Sequence, residues 1–157
     1  AVADHASARH GLRVLLCGGR SELELEVGQR IERLMGQPCV NLIGKDTLLE
    51  LLATLQRATA LVSPDSGPAH MATTVGTPVI GLYAATNPAR SGPYYSREWC
   101  VDRYEAAARR FRDQSAAGLP WTAKIEEPGV MDLITPADVI ARPDAPLAAR
   151  PPPTPLG

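Results

Sequence analysis

The chain has 157 residues, of which 45% are hydrophobic and 21% charged, with a formal net charge of −1. That is the range of one ordinary soluble domain, long enough to bury a core without disulfides or metals. The near-neutral balance, with no run of one sign, gives no support to strong binding of nucleic acid or of an anionic membrane. No stretch of about 18 apolar residues occurs, so no helical membrane span is expected.

The chain opens AVADHASARHG, without an initiator Met, an apolar h-region or a targeting signal, and reads as the end of a helix. The expectation is a fragment of a longer protein. Arg13 to Cys17 is a short apolar run before Gly18-Gly19 and reads as a buried strand ending in a tight turn. Ser21 and Glu24 form a capping box, and Leu23, Val27, Ile31 and Leu34 recur at helical spacing, with Gly36 placed to close the helix. The pattern then repeats. Cys39 to Ile43 is a second strand before Gly44, Thr47 and Glu50 make a second capping box, and Leu48, Leu51, Leu52 and Leu55 form an apolar stripe read as core.

Ala60 to Ser63 is a third strand ending at Pro64-Asp65, followed by a helix from about Gly67 to Val75, with Pro68 in its first turn. Pro78 to Tyr83 is a fourth strand. A turn-rich segment from Thr86 to Tyr95 leads to a short strand at Trp99 to Val101, then to a helix from Glu105 to Gln114 and a last one from Thr135-Pro136 to Ala141. From Arg142 onward the sequence RPDAPLAARPPPTPLG is Pro-rich without a core pattern, and a disordered tail over 142–157 is expected.

Continuous apolar strands alternating with helices signal a parallel sheet covered on both faces. Residues 1–141 therefore read as α/β, a Rossmann-like doubly wound parallel sheet. Cys17, Cys39 and Cys100 are odd in number and lack a CxxC spacing, which argues for reduced, buried thiols in a cytosolic protein rather than disulfides or a zinc site.

In an open parallel sheet, ligands bind outside the carboxyl ends of the strands. Three such ends carry polar or glycine-rich turns: Gly18 to Glu22, Gly44 to Thr47, and Pro64 to His70. All three are expected on one edge of the sheet. The third is the richest. Gly67 admits close backbone approach, Ser66 offers a hydroxyl and an N–H, and the following helix N-terminus presents unpaired N–H groups and a positive dipole end, a site suited to a diphosphate. His70, one turn in, adds a donor or else bonds a neighbouring carbonyl. Asp65 is less obvious, since a carboxylate repels a diphosphate; it caps the helix, or it orients Ser66 and the loop. The first turn lacks GxGxxG, which weakens a dehydrogenase reading, and no P-loop, GxSxG elbow or metal-ligand cluster is present.

The segment Asp65 to Tyr94, DSGPAHMATTVGTPVIGLYAATNPARSGPY, resembles glycosyltransferase family 9, which includes the ADP-heptose:lipopolysaccharide heptosyltransferases. The family pattern D-[ST]-G-x-x-H-[LM]-A, then G-x-P and a strand, then T-x-P-x-R, stands here as Asp65, Ser66, Gly67, His70, Met71, Ala72, Gly76, Pro78, Thr86, Pro88 and Arg90. The resemblance covers roughly residues 12 to 140. It implies the C-terminal, donor-binding half of a two-domain GT-B enzyme, with the N-terminal acceptor domain and its catalytic base absent from this chain. It implies that Asp65, Ser66, Gly67 and His70 grip the donor's diphosphate and adjoining sugar. Glu22 would hydrogen-bond the ribose hydroxyls, its alternative being a carboxylate favouring a helix N-terminus. Lys45 and Asp46 would lay backbone along the adenine edge.

The implied reaction is transfer of heptose from ADP-heptose to a lipopolysaccharide core acceptor, with inversion and without metal or other cofactor. The alternatives are a UDP- or GDP-linked donor and a non-catalytic nucleotide-binding module. The resemblance places the enzyme in the cytoplasm, peripheral to the inner membrane. The segment Tyr104 to Trp121, with Arg109, Arg110 and Arg112, is read as a solvated helix face ahead of a contact with anionic lipid.

Overall fold

The computed structural model describes residues 1–142, so the expected tail beyond Arg142 lies outside the described residues. The chain divides into two compact units, Ala1–Ala53 and Thr54 onward. Among the described residues, two strands pair in parallel in the first unit and three in the second.

The first unit holds α1 (Val2–His10), β1 (Val14–Leu16), α2 (Glu22–Leu34), β2 (Cys39–Asn41) and the start of α3 (Leu48–Arg57). α1 ends on Gly11, whose φ of 63° is the left-handed conformation that glycine adopts without strain. β1 and β2 run parallel from Val14↔Cys39 to Leu16↔Asn41. Ser21 caps α2, its hydroxyl oxygen accepting the Glu24 N–H at 3.3 Å. Gly36 does not close that helix. Met35 is the cap, in extended conformation, and the N–H groups of Gly36 and Gln37 instead donate to Asp4 Oδ1 at 2.8 and 3.1 Å. Thr47 and Glu50 form the capping box foreseen for α3.

Burial in this unit is thinner than the apolar stripes suggest. Leu23 and Leu34 on α2 are 70% and 72% exposed, and Leu48 on α3 is 69% exposed; Leu55, which is buried, lies on the part of α3 that belongs to the second unit. A sheet of two three-residue strands offers a helix little surface to cover. The close contact is made by glycine: a Cβ on Gly28 of α2 would stand 2.3 Å from Ile43 Cδ1.

The second unit holds β3 (Leu61–Pro64), α4 (Gly67–Thr74), β4 (Val79–Tyr83), the single turn α5 (Pro88–Ser91), β5 (Val101–Asp102), α6 (Tyr104–Arg112) and α7 (Pro136–Ile140). β4 is central between β3 and β5, all parallel, with Leu61↔Val79 and Tyr83↔Asp102 as outer register points. Its buried apolar run is what the continuous sequence Val79–Tyr83 requires of a strand covered on both faces. Ala69 and Ala72 of α4 are fully buried. Ala84, Tyr104, Ala107, Ala108, Ile125 and Val130 form the core beside α6. β5 begins two residues later than expected because Arg97–Trp99 curls into a 3-10 turn. α7 starts on a capping box between Thr135 and Asp138.

Of the three thiols, all free, only Cys100 is buried; Cys39 is half-buried and Cys17 exposed, which corrects the reading of all three as core. Cys17 is the residue at which β1 has already ended and the chain turns toward Gly18-Gly19.

Candidate functional site

The third turn leaves β3 and enters α4. Ser66 occupies the cap position of α4 without capping it. Its hydroxyl is bonded instead to the Ser63 hydroxyl at 2.7 Å. The first turn of α4 thus lacks a side-chain acceptor, and its positive end is open to an anionic group. A Cβ at Gly67 would meet nothing within 4 Å, so the space over this turn is clear.

Asp65 does not cap the helix either. Its Oδ2 accepts from Ser91 Oγ at 2.6 Å, and the Arg90 guanidinium lies 3.9 Å away. Its Oδ1 faces His70 Nε2 at 3.8 Å, with the His70 side chain 54% exposed. Of the two roles left open for Asp65, orienting the loop is the one its contacts support. One carboxylate oxygen is engaged by Ser91 of α5 while the other faces His70 of α4.

α5 carries those partners because its start is fixed. Asn87 Oδ1 accepts the Ala89 N–H at 2.9 Å, with Pro88 at the first helical position. A Cβ on Gly92 would lie 2.4 Å from the Pro88 carbonyl oxygen, so only glycine lets the turn close there. The fully buried Tyr83 donates its hydroxyl to the Ser91 carbonyl at 3.0 Å. Burial, with the Asp65 charge behind it, pushes the Tyr83 phenol well above its ordinary value. Arg90 Nε is buried without a hydrogen-bond partner among the described residues. Of these groups, the sequence marks Arg90 only as part of T-x-P-x-R. Ser63, Tyr83 and Ser91 carry no signal of their own, since their roles depend on pairing across 3 to 26 positions.

The other two turns belong to the first unit. Because β1 and β2 are parallel neighbours, their turns emerge side by side, and Gly44 N–H donates to the Gly18 carbonyl at 3.1 Å. Glu22 is the first residue of α2, exposed, and no bond engages its carboxylate among the described residues. The turn is shaped by Glu24, which accepts the Gly19 N–H at 2.9 Å and the Ser21 hydroxyl at 2.6 Å. Those two bonds, the Ser21 hydroxyl first, hold the Glu24 carboxyl below its usual value. Lys45 folds back, its ammonium donating to the Asn41 carbonyl at 2.7 Å and its N–H to the Leu42 carbonyl at 3.0 Å. Asp46 Oδ2 is buried without a partner among the described residues.

Residues 1–119 match glycosyltransferase family 9 (heptosyltransferase). The chain belongs to glycosyltransferase family 9. It is 38% identical over 134 residues to the lipopolysaccharide core heptosyltransferase OpsX of Haemophilus influenzae, covering 85% of this chain and 39% of that one. It is 34% identical over 119 residues to lipopolysaccharide heptosyltransferase 3 of Escherichia coli, covering 73% and 35%. A crystal structure of the family 9 glycosyl transferase from Veillonella parvula superposes with a TM-score of 0.69 at 25% identity, covering 95% of this chain and 40% of that one. The chain thus spans about two-fifths of the length of the relatives it matches. In this family 9 chain the α/β class with parallel sheets is as the alternation of elements foretells.

The arginines of α6 are occupied locally. Arg109 pairs with Glu105, Arg112 with Glu127, and Arg110 stacks over Phe111. Among the described residues no helix is long and apolar enough to cross a membrane.

Proposed function

We propose that this chain is the nucleotide-sugar-binding, C-terminal half of a GT-B heptosyltransferase, which in the whole enzyme transfers heptose from ADP-heptose to a lipopolysaccharide core acceptor with inversion. The observation that carries the reading is the uncapped N-terminus of α4, where Ser66 turns its hydroxyl to Ser63 and Asp65 turns to Ser91. Helix N–H groups and the dipole suit a diphosphate there, with His70 as a further donor. The same preorganised groups would stabilise the departing nucleoside diphosphate, an effect worth several kcal/mol in comparable sites.

In the first unit, Glu22 is free to accept from ribose hydroxyls. One donor of the Lys45 ammonium is bonded to the Asn41 carbonyl, and the contact assigned to Lys45 and Asp46 along the base is through their backbone. The acceptor and the base that deprotonates it are assigned to the N-terminal domain of the whole enzyme, which works at the cytoplasmic face of the inner membrane. The 157-residue chain by itself is accordingly expected to transfer no heptose.

Calorimetric titration with ADP, UDP and GDP tests the reading, using wild type, Asp65→Ala and Glu22→Ala. Tightest binding of ADP, lost in both variants, supports it. Preference for UDP or GDP replaces the donor. Absence of nucleotide binding at millimolar concentration, in this chain and in the full-length protein alike, overturns it.

A further inference from the structure

The contacts of Ser91 extend past the family motif, which ends at Arg90. The Ser91 hydroxyl has one hydrogen to donate. Two acceptors stand near it: Asp65 Oδ2 at 2.6 Å and the Asn87 carbonyl at 3.4 Å. The shorter contact has the length of a charge-assisted bond to a carboxylate, and the hydrogen belongs there. The Asp65 side chain is 21% exposed, and its other oxygen faces the His70 imidazole. Ser91 is in turn pinned from below by Tyr83, through the Ser91 carbonyl.

We propose that Ser91 is a positioning residue of the donor site: by holding Asp65 Oδ2 it sets the Asp65 carboxylate so that Oδ1 faces the His70 imidazole across 3.8 Å, and the field of that carboxylate acts on His70 in the first turn of α4. This rests on the proposed donor reading for the identity of the ligand, a nucleoside diphosphate. It does not rest on it for the Ser91–Asp65 hydrogen bond or for the placing of Asp65 Oδ1 opposite His70. In this arrangement Asp65 acts on the ligand through His70, with one oxygen bonded to the Ser91 hydroxyl and the Arg90 guanidinium 3.9 Å away.

The imidazole 1H–15N resonances of His70 in the ligand-free 157-residue chain give the first readout, since a merely structural serine would not move them. Ser91→Ala and Asp65→Asn should shift these resonances in the same direction, and Ser91→Thr, which keeps the hydroxyl, should restore them. Unchanged His70 resonances in Ser91→Ala, with the backbone spectrum otherwise native, overturn the proposal. Titration with ADP is the second readout. Ser91→Ala should weaken ADP by about 5-fold, the scale of one hydrogen bond acting through a neighbour, with Ser91→Thr near wild type. Equal ADP affinity in wild type and Ser91→Ala refutes a role in ligand binding. If wild type ignores ADP while His70 still responds to Ser91→Ala, the donor reading fails and the positioning chain stands.

Discussion

The Tyr83 hydroxyl donates to the Ser91 carbonyl at 3.0 Å, joining the end of the central strand to the single turn that holds Asp65. Tyr83→Phe removes this donor and leaves a carbonyl unpaired in a part-buried place. The expected loss is about 1–2 kcal/mol of unfolding free energy in urea. The pH dependence follows from the raised phenol. The folded state keeps its proton to higher pH than the unfolded chain does, so the contribution is full below the unfolded tyrosine value of about 10 and falls as pH rises above it. Urea midpoints from pH 8 to 11 should therefore decline more steeply for wild type than for Tyr83→Phe. Parallel curves would refute the assignment.

Gly81 makes room for the same ring. A Cβ there would stand 2.5 Å from Tyr83 Cε2 and 2.9 Å from Cys100 Sγ, with both side chains buried. Gly81→Ala is an overpacking change, with an expected cost of about 1–3 kcal/mol. Thermal melts check it. A variant as stable as wild type would mean that the ring has room to move.

The three thiols should separate by reactivity. Desolvation raises both the Cys17 thiol, with the Asp46 charge adding to it, and the Cys100 thiol, so access decides between them: Cys17 is exposed, while Cys100 is buried with its Sγ 3.6 Å from the Ser96 carbonyl. A thiol reagent such as 5,5′-dithiobis(2-nitrobenzoate) reacts with the thiolate. Mass mapping should find Cys17 labelled first and Cys100 labelled only when the chain is unfolded. Equal labelling of the two in the native protein would contradict the burial described.

Much of the fold was legible because its signals are local. Ser21, Thr47 and Thr135 announce helix starts through partners three residues away, and the apolar run Val79–Tyr83 announces a covered parallel strand. The Gly36 stop failed because Asp4, more than 30 positions away, takes its N–H. The apolar stripe of α2 failed as a predictor of burial because periodicity reports which side of a helix is apolar, not how much surface is there to cover it, whereas the stripe of α3 held at Leu55, partly at Leu51 and Leu52, and not at Leu48. At the candidate site the motif showed Asp65, Ser66, Gly67 and His70, but it left the role of Asp65 open. The deciding contact, with Ser91, crosses 26 positions and has no spacing rule.

The caps on α2 and α3 carry an acid dependence of definite sign. Glu24 is held low by the Ser21 hydroxyl and the Gly19 N–H, and Glu50 by the Thr47 N–H and hydroxyl. A carboxyl whose folded value is depressed adds stability that is present above its unfolded value, about 4.3, and is lost as pH falls through the folded one. Urea midpoints of wild type should therefore drop between pH 5 and pH 3 by more than those of a Glu24→Gln, Glu50→Gln double variant, which has no charge there to lose. At neutral pH the double variant should be the less stable, since glutamine accepts these hydrogen bonds without the assistance of a charge. Both residues are exposed, so salt should narrow the neutral-pH difference. If the two proteins lose stability in parallel on acidification, the carboxylates at these helix starts are not what acid titrates.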